Sequence, residues 1–297
     1  MISLVSRQQP KYDLSDTKLF GNDAAEDESD DIFKSYFYTR NDMSFFLNVD
    51  VPFAIIRAYR GEGKSAILKK SNMDIQGDFI SVYSKGSNLS PDVTGENSDK
   101  WVRGWKASIC NRIAAAIGKT IRFAQSADSM ELVSIAEEGG LKKTGIVAYL
   151  ASRLDITGVP QVKNATARTG EFTENVLQRY NRKLVWLFID DIDENYQDTS
   201  ENNLKIASFF TACRDIVSTI PDIRIRTVVR PNIWTVVRKK QEGLSKVEQY
   251  VQDIRWNEEQ LRSILANRIL GYLDRTGQKK LRIHSERIKM TIRGKDQ

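Results

Sequence analysis

The chain has 297 residues, 40% hydrophobic and 28% charged, a balance that suits one large or two small globular domains. No apolar run approaches the ~18 residues needed to cross a bilayer, and the first ten residues lack the apolar core of a signal peptide. Two cysteines, Cys110 and Cys213, are too few for a disulfide framework, so the expectation is a cytoplasmic protein with no membrane role. The single histidine, His284, argues against a His-rich metal site or a Ser-His-Asp triad and leaves carboxylates, Lys and Arg for any chemistry.

The net charge of +6 is unevenly spread. Residues 11–50 hold 10 acidic and 4 basic side chains, a local charge of −6. Residues 224–297 hold 18 basic and 8 acidic ones, a local charge of +10. A basic end of this kind can meet nucleic acid, membrane phosphate or an acidic partner, and more often is simply a solvated surface.

In chain order, residues 1–19 read as an irregular opening. Phe20-Gly21-Asn22-Asp23-Ala24-Ala25-Glu26-Asp27 follows, with Asn22 or Asp23 placed to cap a helix whose first turn is acidic. Between Asp31 and Phe46 the aromatics Phe33, Tyr36, Phe37, Phe45 and Phe46 read mainly as core. The apolar run Phe53-Ala54-Ile55-Ile56 predicts a buried strand. It delivers the chain to Ala58-Tyr59-Arg60-Gly61-Glu62-Gly63-Lys64-Ser65, which fits the phosphate-binding P-loop except that Ala58 stands where Gly is usual.

The chemistry explains this spacing. Gly61 and Gly63 let backbone N–H groups approach phosphate oxygens with no Cβ in the way. Lys64 reaches the outer phosphates, Ser65 offers its hydroxyl to Mg²⁺, and the helix that begins near Lys64 adds its positive end. The candidate nucleotide contacts here are Ala58, Arg60, Gly61, Glu62, Gly63, Lys64, Ser65 and Ala66. A chance match in a chain this long is expected in roughly a few per cent of cases, so the loop needs partners elsewhere. P-loop enzymes commonly lay a segment preceding the first strand over the base, which makes Phe20 and Asn22 candidates for that contact.

Phe79 to Tyr83 predicts a second strand, and the Ser-, Gly-, Asn- and Pro-rich stretch 84–99 a loop. Trp101, Trp105, Ile109, Ile113 and Ile117 recur at helical spacing. Further helices are expected at 120–137, near 144–153 and near 170–182, so about 100–182 reads as an all-helical insertion.

Lys183-Leu184-Val185-Trp186-Leu187-Phe188-Ile189-Asp190-Asp191-Ile192-Asp193 is a fully buried strand tipped with acids, the Walker B pattern. Buried strands avoid acids that have neither work nor partners. Asp190 is the candidate to hold Mg²⁺ opposite Ser65, Asp191 to polarise the attacking water, and Asp193 a weaker candidate for the same site. Asn203 to Ile220 predicts an amphipathic helix closed by Pro221-Asp222. Ile223 to Val229 is a strand ending in Arg230-Pro231-Asn232, where Arg230 is placed to sense a γ-phosphate or, as an exposed arginine, to pair with surface acids. Glu248 to Trp256 gives a last short strand. Asn257-Glu258-Glu259-Gln260 opens a helix with a capping-box shape and an apolar stripe of Leu261, Ile264, Leu265, Ile269 and Leu273.

This alternation predicts an α/β fold: a parallel five-stranded P-loop NTPase sheet with phosphates at the carboxyl ends of its strands, the helical insertion, and a C-terminal helical lid. The expected division is residues 1–52 covering the nucleotide, 53–256 as core, and 257–297 as lid and basic tail. The helix-bearing separation of the P-loop strand from the acidic strand is typical of the branch in which a further strand lies between them, the ASCE branch that includes AAA+ and STAND ATPases.

The chain resembles bacterial STAND/AAA-like P-loop ATPases of the kind found in anti-phage defence islands. The likeness is carried by Phe20 to Glu26, Gly61 to Ser65, Phe188 to Asp193, and Val229-Arg230-Pro231-Asn232-Ile233-Trp234 followed by Ile254-Arg255-Trp256. It departs from the pattern at Ala58 and Pro231. The resemblance implies ATP and Mg²⁺ as ligands, slow hydrolysis, and a switch that self-assembles or works with an effector protein. Two alternatives stay open on the residues alone: a nucleic-acid-binding ATPase or loader using the basic C-terminal region, and a nucleotide-binding scaffold without turnover.

Overall fold

The structure, a computed structural model, describes residues 25–40, 43–122, 126–142, 170–180, 183–240 and 242–276. Its helices and strands are, in order, a 3-10 turn at Ala25–Asp27, α1 (Asp30–Tyr36), α2 (Met43–Leu47), β1 (Phe53–Arg57), α3 (Lys64–Ile75), β2 (Ile80–Lys85), α4 (Gly86–Leu89), α5 (Ser98–Thr120), α6 (Ala127–Glu138) and α7 (Gly170–Tyr180). They continue with β3 (Val185–Asp190), α8 (Ser200–Thr219), β4 (Ile223–Val229), α9 (Pro231–Lys240), a 3-10 segment at Glu242–Tyr250, β5 (Val251–Asp253) and α10 (Glu258–Arg275). No described helix is long and apolar enough to cross a membrane.

The chain divides into two compact units, Asp42–Ile254 and a second built from both ends, Met1–Asn41 with Arg255–Gln297. The larger unit is an α/β layer structure. Its sheet has the order β2-β3-β4-β1-β5, with every pairing parallel. The expected strand between the P-loop strand and the acidic strand is β4, which pairs with both.

Alternation along the strands separates two faces. Val185, Leu187 and Ile189 of β3 join Ile223, Ile225 and Val229 of β4 in the main core, against α5 and α8. Trp105 of α5 and Phe209 of α8 meet edge to face at 5.1 Å in this layer. Helices α6 and α7 pack on α5, so the described part of the insertion is helical. Ser126 and Asn97 cap α6 and α5 through their side chains, which explains where these helices begin. The other face carries α3, packed on β2, β3 and β4.

That second face holds a fully buried arginine. Among the described residues, Arg226 of β4 has no carboxylate partner. Its guanidinium donates to the carbonyls of Phe46, Asn48 at 2.8 Å, Val51 at 2.7 Å, Pro52 at 3.4 Å and Ile225 at 2.9 Å, and lies 4.4 Å from the centre of the Trp186 ring. Burial pulls this group down to about 9, helped by the neighbouring Arg224, so it stays charged at neutral pH. The arginine thereby ties down the turn that feeds β1.

In the smaller unit α1 packs on α10. Arg268 lies 4.3 Å over the Tyr36 ring, Arg275 Nη1 donates to Ser35 Oγ at 2.9 Å, and Arg40 lies 4.6 Å over Trp256 while donating to the Arg255 carbonyl. The apolar stripe expected along α10 is only partly covered: Leu273 is buried, whereas Leu261 and Leu265 are 52% and 46% exposed. The seven-residue α1 reaches the carboxyl-terminal half of α10, around Arg268 to Arg275, and leaves the first turns uncovered among the described residues.

Several boundaries differ from the sequence expectations. Stretch 84–99 contains the extra strand residues Ser84 and Lys85 and the short α4. Residues 231–240 form α9, a helix the sequence reading did not anticipate, and the last strand shrinks to Val251–Asp253 behind a 3-10 segment. Pro231 is the first residue of α9, a position that favours proline because its missing N–H has no partner to lose. The helix expected near 144–153 and the tail 279–295 lie outside the described residues.

Candidate functional site

The site forms where the carboxyl ends of β1, β3, β4 and β2 meet the amino end of α3. Beyond β1, Ala58 is fully buried and its N–H donates to the Val229 carbonyl of β4 at 3.2 Å. Among the described residues only Asp191 and Asn195 combine a side chain with positive φ, so Ala58 needs no glycine-like backbone and its methyl is accommodated. Gly61 (φ 84°) and Gly63 (φ 81°) do need it, since both lie in the left-handed region. Gly63 sits at the cap position of α3, immediately ahead of Lys64 and Ser65.

The loop is held by its own side chains. The Glu62 carboxylate accepts the Tyr59 N–H, and Lys64 Nζ donates to the Tyr59 carbonyl at 3.1 Å. Arg60 and Tyr59 face solvent, while Ala66 is half-buried in the first turn of α3. Burial pulls the Lys64 ammonium below its ordinary value. Asp193, Asp190 and Asp191 oppose that pull, and Arg230 reinforces it. Three acids and a second cation thus surround this lysine.

Asp190 is the last residue of β3 and is almost wholly buried. It accepts the Tyr83 hydroxyl at 2.6 Å and the Asp191 N–H at 2.9 Å, and the Ser65 side chain lies near enough to favour its ionised form. Burial raises its carboxyl above the usual range, and the Tyr83 and Ser65 hydroxyls offset part of that rise by favouring the ionised form. Asp191 follows with φ 52°, a left-handed conformation that Asp tolerates better than most residues, and its Oδ2 lies 3.3 Å from Lys85 Nζ.

Asp193 is also buried. It accepts from the Arg230 N–H at 2.8 Å and from Arg230 Nε at 3.0 Å, and its carbonyl accepts from Arg230 Nη2. The acid fixes the residue that precedes α9 and holds the guanidinium of the γ-phosphate candidate Arg230 beside the acidic turn. The partner of Arg230 is thus a buried acid of the site rather than the surface acids the sequence suggests.

The structure therefore brings together Lys64, Ser65, Asp190, Asp191, Asp193 and Arg230. Phe20 and Asn22 lie outside the described residues. Sequence reasoning missed Tyr83, which it placed in a strand without a partner, and Lys85, which lies beyond the predicted strand end. Extending the alternation Ser81, Tyr83, Lys85 puts these side chains on one face, but only the pairing of Lys85 with Asp190 reveals which acids they meet. A cavity of about 220 Å³ opens at the opposite, amino-terminal ends of β2, β3 and β4, lined by residues such as Ile117, Leu177 and Val185. Its lining includes neither the loop nor Asp190, Asp191 or Asp193, so it is separate from this site.

Chemically, the loop offers backbone donors, a helix amino end and a lysine to an anion. Ser65 and Asp190 offer adjacent oxygens, the hard ligands that Mg²⁺ prefers. No protein-family model, curated protein or solved structure matches this chain.

Proposed function

We propose that this protein binds ATP with Mg²⁺ and hydrolyses it slowly. The observation that supports this most directly is the approach of Lys64 and Ser65, in the first turn after the loop, to Asp190, the buried acid ending β3: its charge is felt by the Lys64 ammonium, and the Ser65 side chain favours its ionised form. Two segments about 125 residues apart thus converge on the oxygen pair such a ligand requires. Lys64 and the backbone N–H groups around Gly61 and Gly63 bind the outer phosphates. Ser65 and Asp190 would hold Mg²⁺, which when bound supplies charge neutralisation at the phosphates. Asp191 orients the attacking water, and Arg230, held by Asp193, lies within electrostatic reach of Lys64.

Positioning and charge stabilisation are the main catalytic effects in phosphoryl transfer, so this set suffices for slow turnover. ATP as the base, and a regulatory role in bacterial anti-phage defence with an oligomer or effector partner, rest on the sequence resemblance alone. Lys64→Ala is expected to weaken ATP binding at least about 100-fold, the loss of a charge-assisted contact to the phosphates. Asp191→Ala is expected to keep binding and lower kcat by about 100-fold or more, the usual range for a lost proton-handling group. Isothermal titration with a non-hydrolysable analogue, alongside phosphate release, measures both. Unchanged binding and turnover in the two variants would remove the proposal.

A further inference from the structure

The cavity of about 220 Å³ at the amino-terminal ends of β2, β3 and β4 lies wholly within the unit Asp42–Ile254. Its apolar wall comes from Ile117 of α5, Leu177 of α7 and the strand residues Ile80, Val185 and Ile223. The end of α5 is fixed by α6. A Cβ on Gly118 would fall 1.9 Å from the Leu132 carbonyl oxygen, and Lys142 Nζ donates to the Ile121 carbonyl, so α5 is not free to close over the strand ends. The mouth of the cavity is polar, with Arg122, Tyr180, Lys183 and Asp222 around it. Arg122 and Lys183 are exposed, and among the described residues neither has an ion-pair partner. Asp222 is shared with Arg224, whose charge it supports against burial. The mouth thus carries surplus positive charge over an apolar interior.

We propose that this cavity is a binding site for a small amphipathic acid, a compact aromatic or short aliphatic body bearing one carboxylate. An apolar cavity of about 150 Å³ takes up benzene, so one of about 220 Å³ accommodates a ring with a short chain. It is smaller than the roughly 300–1,000 Å³ of sites for drug-sized ligands, which excludes a nucleotide. An apolar chamber with a few polar groups at one end is the usual make-up of a small-ligand site, the chamber giving affinity and the polar groups orientation. The planar fork of Arg122 matches a carboxylate, and Lys183 adds a second charge beside it. The site contains none of Lys64, Ser65 and Asp190, so it stands whether or not the phosphate loop binds ATP.

The test titrates 4-phenylbutyrate and its uncharged amide, 4-phenylbutyramide, against the full chain by ligand-observed NMR. The acid is expected to bind with a Kd on the order of 1 mM, the affinity that about twelve non-hydrogen atoms support. The amide should bind about fivefold more weakly, the most that exposed charges supply. In the double variant Arg122→Gln/Lys183→Gln, whose changes are on the surface, the advantage of the acid should disappear while the amide stays within about twofold of its parent affinity. Ile80→Phe, which fills the chamber, should weaken both probes by about tenfold or more. Binding should persist in Lys64→Ala. Absence of acid binding up to about 10 mM, or unchanged binding in Ile80→Phe, overturns the site. Equal affinity for acid and amide in the parent, or an acid advantage that survives the double variant, overturns the anion recognition given to Arg122 and Lys183. Loss of the acid in Lys64→Ala would move the probe to the phosphate loop and remove the site as well.

Discussion

Asp190 is held at an energetic cost. Burial raises its carboxyl above the value of an unfolded chain. Between the unfolded and folded values the folded state binds more protons, so stability falls as pH rises through that window. The unfavourable contribution is then fully present at neutral pH, and it vanishes as pH falls below the ordinary carboxylate range. Removing the charge should therefore stabilise the ligand-free protein. Asp190→Asn is expected to raise stability by on the order of 1 kcal/mol, typical when a functional site is relieved, while abolishing Mg²⁺-dependent nucleotide binding. Thermal melts of both proteins at pH 7 and at pH 5 check this, and the gap between them should shrink at the lower pH. A variant that melts lower than the parent at pH 7 would mean that the contacts from Tyr83, Ser65 and the Asp191 N–H outweigh the burial.

Among the elements, β1 and β3 were legible because each carries a contiguous apolar run buried on both faces, and β4 because its Ile, Thr and Val residues favour a strand in spite of Arg224 and Arg226. Helix α9 was not, because Pro231 reads as a stop after β4 when it is in fact the first helical residue, and Ile233, Trp234 and Val237 then become its buried side. The same contrast holds at the site. Lys64, Ser65, Asp190 and Asp191 belong to short motifs whose spacing carries the chemistry. Tyr83 and Lys85 owe their place to register between β2 and β3, a non-local property that no window along the chain reports. Arg226 is the sharpest case: an arginine in a strand reads as exposed, yet here carbonyls of the turn before β1 satisfy it in the interior. Arg226→Ala leaves those carbonyls without their donor and is expected to cost about 3–5 kcal/mol, read as a fall in the urea midpoint at unchanged slope. Arg226→Lys should recover little, because a single ammonium cannot reproduce the planar fork.

For the whole molecule, the main core and the proposed phosphate site both lie in the unit Asp42–Ile254, so ligand binding there should be visible as stability of that unit. Anything that binds only the folded state stabilises it by mass action, by about 2.7 kcal/mol when the free ligand is at 100 times its Kd. A unit of this length gains about 2–4 °C in Tm per kcal/mol, which gives an expected upward shift of about 5–11 °C. Because the chain has two compact units, a calorimetric scan should be fitted with two transitions rather than one. The shift should appear with a non-hydrolysable ATP analogue and Mg²⁺, shrink when EDTA removes the metal, and disappear in Lys64→Ala. The metal step isolates Ser65 and Asp190, since their oxygens have no other route to the ligand in this reading. The lysine step isolates the loop. A shift of the same size in Lys64→Ala would place nucleotide binding elsewhere on the chain and detach the loop from the function proposed for it.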